Sequence, residues 1–206
     1  MDPEDEAFYR RYGPWDPLLP GQVRGFLGDF AGPWWIVGGW AIEAFTGQAR
    51  RHEDVDVVIF RRDLSSLREA LKEFHLWSAG SGALRPLNDD YPDLHPEASQ
   101  VWVREHALAP WVADIIVNDD HEGLWVNKRW AEHVAPLDEV TWVGDDGIRY
   151  LAPELVLLHK ARLLRAKDDR DLSVTWPLLA DDRRAWLLDA LRIVEPGHAW
   201  IEALGG

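Results

Sequence analysis

Asp54 and Asp56 stand two residues apart in the run Asp54-Val55-Asp56-Val57-Val58-Ile59-Phe60, whose β-branched and apolar residues predict a strand. Residues two apart in a strand share a face, roughly 6.6 Å from each other along the chain. The two carboxylates then point one way, and Val55 and Val57 point into the core. Carboxylates side by side repel unless a cation lies between them. The pair therefore predicts a hard cation such as Mg²⁺, which takes oxygen ligands from a few carboxylates and from substrate phosphates. A third acid, Asp114, interrupts the apolar run Trp111–Val117, where an ionised side chain is costly unless compensated. If that strand lies beside the first, in an antiparallel or mixed sheet, the three carboxylates converge at one edge. Two could then hold metal and the third take a proton from an attacking hydroxyl. A plainer reading stands beside this one, with Asp114 a buried acid accepting backbone hydrogen bonds.

The elements that must position these acids begin upstream. Trp34 to Val37 reads as a short strand, broken by Gly38-Gly39, and Trp40 to Phe45 has helical composition. A basic loop, Arg50-Arg51-His52, leads into the Asp54 strand. Before it, residues 1–20 carry acids and four prolines and read as an irregular arm, and Gln22 to Phe30 reads as a helix ending at Gly32-Pro33. After it, Asp63 is a candidate N-cap for a helix with Leu64, Leu67 and Leu71 on one side. The stretch from Ser78 to Ser99 is rich in turn residues and reads as a long acidic loop. Gln100–Glu105 alternates as a strand, Asn118-Asp119-Asp120 reads as a turn and Leu124–Val126 as a short strand. Thr141–Val143 and Ile148–Leu151 flank Gly144-Asp145-Asp146-Gly147 as a hairpin. Pro153 opens a helix, and helical periodicity continues to Leu204. The expected class is α/β (α+β), a mixed sheet flanked by helices, divided into residues 1–151 and a helical region 152–206.

Composition narrows the function. The apolar fraction of 47% supports a full core, and no apolar run approaches the ~20 residues that span a bilayer. The acidic N-terminus lacks the apolar stretch of a secretory signal, and cysteine is absent, so disulfides and thiolate zinc sites are excluded. A cytoplasmic, non-membrane protein is expected. A net charge of −14 argues against an extended nucleic-acid surface and favours cationic small molecules and metal ions, although acidity also serves solubility alone. No histidine pair has zinc-ligand spacing.

Gly38-Gly39-Trp40-Ala41-Ile42, then His52-Glu53-Asp54-Val55-Asp56, then Asp114 in an apolar strand, resembles the nucleotidyltransferase superfamily. Within it the pattern is most similar to the aminoglycoside 2''-adenylyltransferase and lincosamide nucleotidyltransferase group. Pro153-Glu154-Leu155-Val156-Leu157-Leu158-His159-Lys160-Ala161 and Lys167-Asp168-Asp169-Arg170-Asp171 resemble the start of that group's helical part. The resemblance implies a Mg²⁺-dependent transfer of a nucleoside monophosphate, AMP from ATP, to a hydroxyl of a small molecule such as an aminoglycoside, releasing pyrophosphate. It implies Asp54 and Asp56 as metal ligands, with Asp114 as general base that also shares the metal. Gly38 and Gly39 would let backbone amides approach the triphosphate at a helix N-terminus. Lys160 is placed near the phosphates by the resemblance alone, its alternative being a helix-surface lysine. His52 touches phosphate or orients its loop, and Arg50 and Arg51 contact phosphate or are simply exposed. Trp40 stacks on a ligand or closes its helix on the sheet, and Glu43 reads as a surface acid. The acidic stretches 89–97 and 119–122 are either a wall for a cationic acceptor or solvated turns. Two other functions fit the same residues: a toxin-type nucleotidyltransferase modifying tRNA or protein, and a non-catalytic nucleotide-binding protein. No oligomer interface is legible.

Overall fold

The computed structural model describes residues 3–163 and 165–205; Met1, Asp2, Leu164 and Gly206, which fall within the predicted segments, lie outside the described residues. In chain order the elements are α1 (Pro3–Tyr12), α2 (Pro20–Phe26), β1 (Trp34–Ile36), α3 (Gly38–Thr46), β2 (Asp56–Phe60), α4 (Leu64–Ala70), β3 (His75–Gly80), β4 (Ala83–Pro86), β5 (Gln100–Arg104) and β6 (Trp111–Asn118). There follow β7 (Asp120–His121), β8 (Leu124–Asn127), β9 (Trp130–Ala135), α5 (Leu137–Val140), β10 (Thr141–Val143), β11 (Arg149–Leu151), α6 (Pro153–Ala161), α7 (Ala166–Thr175), α8 (Asp181–Val194) and α9 (Ala199–Leu204). Strands mixed with helices, and helices alone after Leu151, make the expected α+β class. The chain forms two compact units, Met1–Trp34 with Glu53–Asp119, and Trp35–His52 with Asp120–Gly206.

The first unit is built on five strands in the order β2-β6-β5-β3-β4. β2 and β6 run parallel and the other pairs antiparallel, so the sheet is mixed. In β5, Val101 and Val103 are fully buried while Gln100, Trp102 and Arg104 are half-buried, as the alternation predicts. Val57, Val58 and Ile59 of β2 are all buried, so both faces of this strand are covered. The segment before α2 pairs with the start of β6: Asp16 and Leu18 donate their N–H to the carbonyls of Trp111 and Val112, and Trp111 donates to Pro14. Trp15, Trp77, Trp102 and Trp111 pack there edge to face or tilted, and the Arg104 guanidinium lies 4.4 Å from the Trp111 ring centroid.

Four expectations need correcting here. Residues 1–20 are not an irregular arm throughout, because α1 forms. It opens on proline, carries Arg10 and Arg11 in its last turn, and ties Arg10 to Glu6 one turn earlier at 2.6 Å. The stretch from Ser78 is not all loop, because β3 and β4 form a hairpin with Gly80 opposite Ala83. Its turn residues, Ser81 at φ 48° and Gly82 at φ 75°, give the left-handed pair that two-residue hairpins demand. The strand expected from Asp54 begins at Asp56. Asp120, expected in a turn, pairs in β7, and β9 was not foreseen. Asp63 does occupy the N-cap of α4, without a side-chain capping bond.

The second unit holds β10-β11-β1, in which β1 runs parallel to β11 and β10 antiparallel, together with the antiparallel ribbon β7-β8-β9. The predicted hairpin at residues 141–151 is present. α6 packs against α3, α7 and α8, with Leu155, Val156, Leu157 and Leu158 all buried. A helix apolar on every side belongs at the centre of a bundle, and α6 takes that place.

Candidate active site

β2 places Asp56, its first residue, in register with Asp114 on the adjacent parallel strand β6. Neighbouring strands lie about 4.8 Å apart, so the two side chains emerge side by side. Val55 is fully buried, whereas Asp54 is exposed and Asp56 half-buried, so both acids turn away from the core around Val55. Asp114 is 8% exposed and accepts a hydrogen bond at Oδ2 from Gln100 Nε2 at 2.5 Å. Gln100, on β5, was not picked out from the sequence; its only signal is the alternation that sets it on one face with Trp102. Among the described residues no three His, Asp or Glu are gathered tightly enough to hold a metal by themselves. Two in-register carboxylates with a third two residues away nevertheless suit Mg²⁺, which is usually held by one or two carboxylates and completed by phosphate oxygens.

The glycine turn lies in the second unit. Gly38 has φ +68°, a conformation open to glycine and costly for other residues, and it starts α3 after the extended Val37. Gly39 is required for space, because a Cβ there would fall 2.0 Å from Arg50 Nη2 and 2.8 Å from His52 Nδ1. Arg50 is held firmly: Nε and Nη2 donate to the two oxygens of Asp171 at 3.1 and 3.2 Å, and its backbone N–H donates to Glu43 Oε2 at 3.0 Å. His52 Nε2 meets the same Glu43 oxygen at 2.7 Å, and its ring stacks on Trp40 at 3.9 Å. Glu43, read from the sequence as a surface acid, is therefore the post to which the basic loop is tied. Arg51 is exposed, and its carbonyl accepts from Arg50 Nη1.

Lys160 is 6% exposed rather than lying on a helix surface, and its Nζ is 2.9 Å from Asp171 and 3.2 Å from Asp168. Asp168 is fully buried and also accepts from Arg165 Nε at 2.8 Å. Burial pushes its carboxyl upward, but Arg165 and Lys160 outweigh that and hold it below the usual carboxylate value. Asp168 also caps α7 through the Arg165 N–H. The structure thus brings Gly39, Arg50, His52 and Lys160 into one ion-paired assembly, and separately brings Asp56 to Asp114. Asp171 was quoted in the sequence pattern, but its pairing with a residue 121 positions away has no local signal.

Residues 22–96 match the aminoglycoside-2''-adenylyltransferase family. The solution structure of the antibiotic-resistance factor ANT(2'')-Ia superposes with a TM-score of 0.50 at 14% identity, covering 94% of each chain. The fold is the nucleotidyltransferase fold. The resemblance read from Gly38-Gly39 and Asp54-Val55-Asp56 is borne out, since both motifs lie inside the matched segment. Weaker likenesses are to the lincosamide antibiotic adenylyltransferase LnuA with lincomycin bound (18% identity, 74% of this chain and 91% of that one, TM-score 0.49). ANT(2'')-Ia in complex with adenylyl-2''-tobramycin gives 11% identity, 88% and 90% coverage and a TM-score of 0.42. A comparison with curated proteins gives no match. Within this nucleotidyltransferase fold no described helix is long and apolar enough to cross a membrane.

Proposed function

We propose that the chain transfers a nucleoside monophosphate, AMP from ATP, to a hydroxyl of a cationic small molecule, with an aminoglycoside-like antibiotic as the best-supported acceptor. The observation that carries this reading is the register of Asp56 against Asp114 in a fold of this class. The family matched over residues 22–96 and the net charge of −14 support the acceptor class. Asp54 and Asp56, with Asp114 sharing, would hold Mg²⁺, which supplies charge neutralisation at the α-phosphorus and the departing pyrophosphate.

Asp114 takes the proton of the acceptor hydroxyl as its oxygen bonds to the α-phosphorus, and the bond to pyrophosphate breaks in line. Gln100 fixes one oxygen of Asp114, which orients the other for that proton. Gly38 and Gly39 open the N-terminus of α3 to the triphosphate, and His52 lies beside that turn with its ring on Trp40, Arg51 preceding it in the chain. Lys160, already engaged by Asp168 and Asp171, acts by holding the helices rather than by free contact with phosphate. On this reading residues 1–151 carry the chemistry in a cytoplasmic enzyme and residues 152–206 brace it.

Labelled NTPs against pooled aminoglycosides and lincosamides, read by acceptor mass shift and pyrophosphate release, test the proposal. A mass gain of one nucleotide is expected, abolished in Asp54→Asn and Asp56→Asn. Asp114→Asn should bind ATP with Mg²⁺ yet fail to transfer. Full turnover in any of the three would remove the assigned role.

A further inference from the structure

The second unit contains a cavity of about 780 Å³ that nucleotidyl transfer does not call upon. Its size is that of a small-molecule pocket. Phe45 and Trp142 form one wall, edge to face with ring centroids 6.2 Å apart, and Leu178 and Leu179 form another. Trp142 is fixed in advance, since its ring packs 5.4 Å from Tyr150, whose hydroxyl donates to Asp146 Oδ2 at 2.6 Å. The indole Nε1 of Trp142 is buried with no hydrogen-bond partner among the described residues. A buried donor of that kind is costly to leave unmet.

The charged lining is one-sided. Glu139, Asp145 and Asp146 border the cavity. Glu154 does too, but it is 2% exposed and bonded to Arg183, so its charge is matched. Asp146 already accepts from Tyr150 and from the Ile148 N–H, and Glu139 and Asp145, beside the aromatic wall, attract a cation twice, through opposite charge and through the ring faces. Ala44 and Phe45 come from the last turn of α3, roughly 10 Å along the helix axis from Gly38. The cavity and the glycine turn thus occupy opposite ends of one helix.

We propose that this cavity binds a small organic cation with an aromatic or aliphatic body, at a site separate from the one where a triphosphate meets Gly38-Gly39. The ammonium group sits against Trp142, Glu139 and Asp145, and the apolar body against Phe45, Leu178 and Leu179. The assignment stands on the cavity's own lining and does not depend on nucleotidyl transfer.

Calorimetric titration of the full chain with benzyltrimethylammonium tests it, with benzyl alcohol as the uncharged aromatic control. One saturable site is expected, with the alcohol at least about tenfold weaker. The double variant Glu139→Gln/Asp145→Asn alters two exposed side chains and should weaken the cation about tenfold. Trp142→Leu should weaken it as well, while Asp56→Asn should leave its affinity unchanged. Absence of saturable binding, equal binding of the two probes, or indifference to the double variant would overturn the proposal. Displacement of the cation by ATP with Mg²⁺ would overturn it too, by returning the ligand to the nucleotide site.

Discussion

The β2–β6 strands and the ion network around α7 bury the same residue types to opposite ends. In the strands, Asp56 and Asp114 stand in register, like charge against like charge. In the network, Asp168 and Asp171 are as deeply buried as Asp114 or more so, yet Lys160, Arg50 and Arg165 surround them. Two carboxylates in register form the pair that an outside cation would bridge, which is the role proposed for them above. Carboxylates matched by side-chain cations need nothing further and lock the chain that supplies them. A buried acid is informative through its neighbours rather than through its type.

If the contrast is right, Asp56→Asn separates chemistry from stability most sharply. Transfer should fall by about a thousandfold or more, while the relief of like-charge repulsion keeps the fold at least as stable. Equal losses of activity and stability in this variant would erase the contrast. Asp171→Ala should do the reverse, since it leaves Arg50 and Lys160 buried without their shared partner, at a cost of about 3–5 kcal/mol in denaturant unfolding. Lys160→Met refines the point. A shift in unfolding midpoint with KM for ATP little changed fits a brace, whereas a raised KM at constant stability returns Lys160 to the phosphates.

Gly39→Ala should cost about 1–3 kcal/mol by pushing Arg50 and His52 off their partners, and thermal unfolding would show it. A neutral result would mean that the Arg50 fork is loose. The smallest effect concerns pH. Burial, reinforced by Arg129 and Lys128, pushes the His159 imidazole down to about 3, and its Nε2 lies 3.1 Å from Asn127 Oδ1. A histidine whose folded pKa lies below its unfolded value contributes stability that is full above about pH 6.5 and is lost as pH falls toward 3. The unfolding free energy should therefore drop by about 1–2 kcal/mol between pH 7 and pH 5 in the parent and by less in His159→Gln. Identical pH slopes would show that His159 is not held neutral.

The parts legible in the sequence were those that depend on local pattern. The strand through Val57 to Phe60, the apolar run around Asp114, the glycine break before α3 and the proline opening α6 all declare themselves within a few residues. The hairpin of β3 and β4 was hidden because its glycines and prolines look like any loop, although Ser81-Gly82 between two short β-favouring runs was the available sign. The ion network was illegible for another reason. Arg50, Lys160 and Asp171 meet through tertiary packing, and an exposed lysine and a paired one look alike in sequence. The spacing of Asp168 and Asp171, three residues apart on one helix face, gave the only local hint.

The clustering of Trp15, Trp77, Trp102 and Trp111 in the first unit makes that unit optically distinct. Indoles within 5.1–6.3 Å of one another share excitation and sit in a fixed chiral arrangement. Part of their near-ultraviolet dichroism is lost when the segment carrying Trp15 lifts from β6, since Trp77 and Trp102 stay packed on Trp111. Far-ultraviolet signal follows the helices of the second unit more closely, since α5 to α9 all belong to it. Melting curves at the two wavelengths separate loss of this cluster from loss of the helices once the near-ultraviolet share of the second unit's own tryptophans, Trp142 against Tyr150 among them, is subtracted.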